Sequence, residues 1–170
     1  MNSLFNGLGV AVIDMQPLFT KTLPAGEKAR IVPHQKRILR QSVQLDIPII
    51  FVEYLGSGET LPELHTAAAN GDVTVFIKND CSAFQGPRCD PKYTNFKDLL
   101  DQKEITKLFL MGIYTRGCVE ETAKDAFKHN IGIQTANTVI ASSCKQRDSN
   151  VWFRERSLLV NSFHTALMAT

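Results

Sequence analysis

The 170-residue sequence predicts an α/β protein with three α/β/α layers, an open parallel sheet carrying helices on both faces. Three observations carry that expectation. Short apolar runs recur along the chain, unbroken by polar alternation, as strands buried on both faces of a parallel sheet require. Segments with helical periodicity separate them, and strand–helix alternation implies right-handed crossovers. Two of the runs close on a charged residue, Asp14 and Lys78, at the strand end where open α/β sheets place their ligands.

The first strand is read at Leu8–Ile13 and stops at Asp14. The following loop, residues 16–26, contains two prolines and a glycine and is expected to line a cleft, with Gln16 and Phe19 touching substrate. A helix over 33–45 places Pro33 in its first turn, where a missing N–H is tolerated. Strand two follows at 48–52, a short helix at 62–69, and strand three at 73–77, ended by Lys78. A helix over 95–102, strand four at 107–112, a helix from Cys118 to about His129 and strand five at 132–136 complete the alternation. Residues 148–168 read as one C-terminal helix, and a sixth strand is either short or missing. No linker or internal repeat divides the chain, so one domain is expected over residues 1–170.

Cys118 lies at a strand-to-helix turn. Unpaired N–H groups and the positive end of a helix dipole favour thiolate there, and would also stabilise an oxyanion. The bland alternative is a small buried core residue. Asp14 and Lys78 weigh against it: on this layout both converge with Cys118 on one rim. A carboxylate near a thiol can take its proton, and a neighbouring ammonium offsets the negative charge.

Val10-Ala-Val-Ile-Asp14-Met-Gln16, Lys78-Asn-Asp-Cys-Ser82-Ala-Phe84 and Gly112-Ile-Tyr114-Thr-Arg-Gly-Cys118-Val-Glu-Glu-Thr122 together resemble the signature blocks of the isochorismatase-like cysteine hydrolases. The resemblance implies Asp14 as acid/base, Lys78 as cation and Cys118 as nucleophile. It also implies a cis peptide between Ile113 and Tyr114, with the N–H groups of Tyr114 and Cys118 forming an oxyanion hole. Hydrolysis of a C–N bond in a small amide, carbamoyl or imide-like compound, through a thioester and without a cofactor, is the activity to expect. The rival is a catalytically idle relative that binds a metabolite or a protein partner.

Nicotinamidases of this family hold a metal through an Asp-x-His pair and further histidines. The corresponding stretch here offers Glu53, Glu63 and His65 without a tight ligand pairing, so no metal is expected. Tyr54 and Tyr114 read as pocket walls, and Phe84 as packing beneath Lys78. The layout is Rossmann-like, but no Gly-x-Gly-x-x-Gly follows strand one, which argues against a nucleotide-binding domain.

With 44% hydrophobic and 21% charged residues and a formal charge of +2, the composition is that of a globular protein. No basic run is interleaved with aromatics, so nucleic acid is not an expected partner. No apolar segment approaches the ~20 residues of a membrane span and no secretory signal is visible, which makes a cytoplasmic location the expectation. Cys81, Cys89, Cys118 and Cys144 form no CxxC pair and are expected as thiols; Cys81 and Cys89 flank a loop and read as surface thiols or an adventitious pair, with a structural role favoured over a redox switch. A homo-oligomer is expected from the family resemblance.

Overall fold

The computed structural model describes residues 5–86, 90–143 and 150–168, so Cys89 and Cys144 lie outside the described residues. Five strands, β1 (Leu8–Ile13), β2 (Ile49–Tyr54), β3 (Val73–Lys78), β4 (Lys107–Ile113) and β5 (Gly132–Ala141), form one parallel sheet in the order β3-β2-β1-β4-β5. The three middle strands are the most apolar runs. β1 is buried along its whole length, and β2 and β4 nearly so. Burying each large aliphatic side chain is worth about 1.5–3 kcal/mol, enough to fix which strands occupy the centre. β3 lies at one edge and leaves Val73 and Val75 exposed. The strand order runs outward from β1 to β3, then restarts with β4 on the other side of β1. The β1/β4 boundary is therefore the switch point, where strand tips diverge into a crevice.

Helices α1 (Pro17–Thr20), α2 (Glu27–Gln44), α3 (Pro62–Ala68), α4 (Phe96–Gln102), α5 (Glu120–Lys128), α6 (Val151–Glu155) and α7 (Phe163–Met168) flank the sheet. α4 starts as its sequence requires, with the Asn95 side chain accepting from the Asp98 N–H at 2.8 Å.

Several element boundaries differ from the sequence reading: the expected loop after β1 holds α1, β2 runs on to Tyr54, and the helix expected from Cys118 starts at Glu120; the larger departures are in α2, β5 and the C-terminal segment. α2 begins at Glu27, which leaves Pro33 inside the helix instead of in its first turn. Tertiary contacts outweigh the interruption. Arg30 is forked onto Glu27 and donates to the Asn137 and Ile140 carbonyls at 2.6 and 2.9 Å, while Ile31, Gln35, Ile38 and Ser42 form the buried stripe. β5 extends past Ala136 to Ala141 because it bulges: Thr135 pairs with Leu110, yet Ile140 pairs with Gly112. Arg30 and Gln35 of α2 satisfy carbonyls exposed by that bulge, Gln35 donating to Val139 at 2.8 Å.

The C-terminal segment is two short helices, not one. Ser157 adopts φ 54 and stops α6. The chain then runs beside β5, where Thr135 N–H donates to Leu158 and Val160 N–H to Thr135 at 3.0 and 2.8 Å. This single parallel bridge, Thr135 to Leu159, stands where a sixth strand would begin. α7 then packs back, with Phe163 edge-on to Phe109 at 5.0 Å.

Candidate active site

β1 ends in Asp14, which takes a left-handed φ of 55, and β3 ends in Lys78. After β4 the chain enters a π-helical turn, Thr115–Val119, that carries Cys118 directly before α5. Gly112 lets this turn come close to Asp14. It sits at φ 141 opposite Ile13, and a Cβ there would fall 2.2 Å from the Ile13 carbonyl oxygen, inside any real contact. Glycine is the only residue that permits this approach of β4 to β1.

Asp14 and Lys78 are both buried, with Lys78 Nζ 3.0 Å from Asp14 Oδ2. The ammonium gives its aligned hydrogen bonds to the carbonyls of Asp80 and Cys81, at 2.9 and 3.3 Å, and its charge to Asp14. Neither Asp14 oxygen is in a well-aligned hydrogen bond, so the carboxylate keeps unused acceptor capacity beside the half-buried Cys118 thiol. Burial raises the Asp14 pKa, against the lowering by the Lys78 charge and by interaction with the Cys118 thiol. Burial also pushes the Cys118 thiol well above the ordinary cysteine range, and the Asp14 charge adds to it, with Lys78 opposing. Burial and the Asp14 charge thus work against the dipole-stabilised thiolate that the strand-to-helix turn suggested, and favour the neutral Cys118 thiol beside the Asp14–Lys78 pair. Gly117, at φ −128 and ψ −109, breaks the helical geometry just before Cys118, which weakens the alignment of dipoles there.

The aromatic side chains gather over the same strand ends. Phe19 meets Tyr54 edge-on at 5.9 Å and Tyr114 at 5.6 Å, and Lys78 Nζ sits 4.9 Å from the Tyr54 ring centre. The Tyr54 hydroxyl donates to the Asn79 carbonyl at 3.0 Å, and the Tyr114 hydroxyl pairs with that of Thr22 at 3.1 Å. Gln16 is buried and its amide is occupied by main chain: it donates to the carbonyls of Tyr54 and Gly58 and accepts from the Tyr54 N–H. It acts as the clasp that sets Tyr54 in place. Phe84 is stacked on His129 and edge-on to Phe96, both at 5.0 Å, and lines a small cavity together with Lys78.

One feature implied by the family resemblance is absent. The Ile113–Tyr114 peptide is trans, because Gly112 at φ 141 and Tyr114 at φ 62 make the reversal with left-handed backbone instead. The residues weighed as metal ligands do not converge either. Glu53 accepts from the Thr60 N–H at 2.6 Å, Glu63 pairs with Lys28 at 3.3 Å, and His65 packs on Phe51. Among the described residues no cluster of three His, Cys, Asp or Glu side chains could hold a metal. The donor set does not fit the metal centre of nicotinamidases.

Sequence reasoning missed Cys81. Read as a surface thiol, it is exposed, but its sulfur lies 3.9 Å from that of Cys118. The turn after Lys78 folds back so that its carbonyls reach Nζ, and this brings Cys81 to the nucleophile turn. The Ala83 N–H donates to Thr122 Oγ1 at 3.1 Å, and Gln85 donates to Asp125, pinning the same loop to α5. Nothing in the spacing of the two cysteines signals such a contact across 37 residues.

Residues 10–156 match the family described as the isochorismatase domain. The chain belongs to that family. Among solved structures, the MAR1 ribonuclease from Caenorhabditis elegans superposes with a TM-score of 0.76 at 20% identity, over 96% of this chain and 81% of that one. N-carbamoylsarcosine amidase from Thermoplasma acidophilum gives 0.72 at 20%, over 87% and 91%. A nicotinamidase from Staphylococcus aureus gives 0.71 at 19%, over 89% and 94%. At such identities the likeness is one of fold. No curated protein sequence matches the chain. The isochorismatase family comprises hydrolases, amidases acting on C–N bonds among them. No described helix of this isochorismatase-family chain is long and apolar enough to cross a membrane.

Proposed function

We propose that this chain hydrolyses a C–N bond in a small amide, carbamoyl or imide-like compound, through a thioester on Cys118. The observation that supports the reading best is the buried Asp14–Lys78 pair, 3.0 Å apart, beside the Cys118 thiol with which that carboxylate interacts. A structural cysteine needs neither a buried acid nor a buried ammonium, and burying such a pair costs desolvation that a purely structural site avoids with apolar residues.

In this mechanism the Cys118 proton passes to Asp14 as sulfur attacks the carbonyl carbon. Lys78 is the cation that keeps Asp14 ionised until then and offsets the charge that moves onto sulfur. The tetrahedral oxyanion is held by the N–H of Cys118; with the Ile113–Tyr114 peptide trans and the Tyr114 carbonyl accepting from the Gly117 and Val119 N–H groups, the Tyr114 N–H expected from the family resemblance is not counted as a second donor. Its collapse breaks the C–N bond while protonated Asp14 gives its proton to the leaving amine. Water enters, loses a proton to Asp14 and cleaves the thioester, releasing the acid and restoring the thiol. Phe19, Tyr54 and Tyr114 wall the acyl pocket, and no step needs a cofactor.

The test is ammonia or amine release from a panel of small amides, ureas and imides, with Cys118→Ala and Asp14→Asn as controls. Turnover lost in both variants supports the reading. Four equally slow thiols towards iodoacetamide, with no turnover of any compound, would instead mark an idle binding domain.

A further inference from the structure

We propose that Cys81 is a redox guard for the nucleophile: it forms a reversible disulfide with Cys118 that takes the Cys118 sulfur out of chemistry. The loss of activity in this proposal rests on the hydrolase reading above; the disulfide itself does not.

The two sulfurs are 3.9 Å apart, already in van der Waals contact, and must close to about 2.05 Å to bond. The movement falls on Cys81, which is exposed and stands on a turn, whereas Cys118 is half-buried in the packed segment between β4 and α5. The backbone beneath Cys81 is held on both sides, its N–H by Asp80 Oδ1 at 2.6 Å and its carbonyl by Lys78 Nζ at 3.3 Å. The remaining closure, from 3.9 Å to about 2.05 Å, is assigned to the exposed Cys81 side chain. Gly117 offers no side chain between them: a Cβ there would sit 3.9 Å from the Cys81 sulfur.

Exposure also sets the order of events. A low-molecular-weight disulfide of the glutathione type reaches Cys81 first. The Cys81 thiolate, having lost its proton to solvent, attacks one sulfur of that disulfide. One glutathione thiolate leaves and takes up a proton, and a mixed disulfide remains on Cys81. Cys118 then attacks the Cys81 sulfur, its proton passing to Asp14 as in the hydrolytic step. The bond between Cys81 and glutathione breaks, and the second glutathione departs with the proton from Asp14. Two protein thiols have been oxidised to one disulfide, and one small disulfide reduced to two thiols. The acid that serves hydrolysis thus also serves closure, and a reducing thiol reverses both steps.

The reduced full-length chain, incubated with oxidised glutathione and digested without reductant, should yield one peptide pair joined through Cys81 and Cys118 and free of retained glutathione. Amide hydrolysis should fall in proportion to the linked fraction and return with dithiothreitol. In Cys81→Ser, compared with itself before and after oxidation, Cys118 should remain open to alkylation and the fractional loss should vanish. Glutathione that stays on Cys81 while Cys118 remains free overturns the proposal, as does linkage through Cys89 or Cys144, or full activity in the linked chain. A linked pair in a chain that hydrolyses none of the panel before oxidation upholds the disulfide and removes the hydrolase reading.

Discussion

Replacing Lys78 by methionine isolates the buried ion pair. Its partners are 0% and 1% exposed and 3.0 Å apart, so at an effective dielectric of about 20 their attraction is about 5.5 kcal/mol. That full amount does not appear as lost stability, because a carboxylate left alone escapes by taking a proton. Asp14 ionises near 3.9 in the unfolded chain, so keeping it neutral at about pH 7 costs roughly three pH units at about 1.4 kcal/mol each, or about 4 kcal/mol. The smaller figure sets the ceiling: burial already raises Asp14 in the wild type, so part of that cost is present there and the variant should lose less than about 4 kcal/mol near neutral pH. The sign of its pH dependence follows. A carboxyl whose folded pKa is raised binds its proton in the folded state, so stability is greatest below the unfolded pKa and declines as pH rises towards the folded one. Burial already raises Asp14 with Lys78 present, and without the ammonium the folded value moves higher still. The deficit against wild type should therefore shrink on acidification, by up to about 1.4 kcal/mol per unit, and level off once the pH falls below the raised wild-type value, where both folded proteins hold the proton on Asp14. Urea unfolding at several pH values measures it. Adding Asp14→Asn should flatten the slope and recover most of the loss, short of the two hydrogen bonds to Asp80 and Cys81. A Lys78→Met protein as stable as wild type near neutrality, or with an unchanged slope, refutes the claim that Lys78 sustains a buried charge on Asp14.

Gly112→Ala places a Cβ against the Ile13 carbonyl at a left-handed φ, and should cost about 3 kcal/mol or more, a Tm drop of about 10 °C; an unchanged melt sinks the close-approach argument. Pro33→Ala restores an N–H inside α2 at an exposed position and should stabilise by about 1–2 kcal/mol after the lost chain restriction is subtracted; denaturant midpoints decide, and a less stable variant contradicts it. Because burial and Asp14 hold the Cys118 thiol up, alkylation of Cys118 in Cys81→Ser should still be accelerating beyond about pH 9, whereas a plateau near about pH 7 would reveal a resting thiolate. If the proposed hydrolysis holds, kcat/KM of the same variant should rise with pH as Asp14 loses its proton, along a limb above the ordinary carboxylate range; a limb within that range means that Asp14 is not the base.

What the sequence disclosed follows the reach of each signal. Continuous apolar runs locate β1, β2 and β4 because burial on both faces leaves a local imprint, the edge strand β3 shows as a β-branched run despite its exposed face, and a charge closing such a run marks a strand tip, which is how Asp14 and Lys78 are found. α2 starts earlier than expected because the turns before Pro33 are held by Arg30 against β5 carbonyls, a contact across 107 and 110 residues that no local pattern records. The bulge in β5 hides the strand's second half for the same reason. Gln16 looks like a cleft residue from its position but is claimed by Tyr54 and Gly58. Cys81 is invisible as a partner of Cys118 because the tight turn after Lys78 brings them together, and that turn is shaped by an ammonium folding back on its own loop.

β1 is the first strand made and ends in the middle of the sheet, flanked by β2 and β4. Acid and sulfur therefore arrive from strands separated by most of the chain, and meet only when β4 docks alongside β1. Before that event Cys118 behaves as an ordinary solvent-bathed thiol; afterwards its reactivity is suppressed by the low-dielectric surroundings and the adjacent anion. The rate at which this one sulfur stops reacting with a fast alkylating pulse during refolding is consequently a clock for the longest-range strand pairing in the molecule.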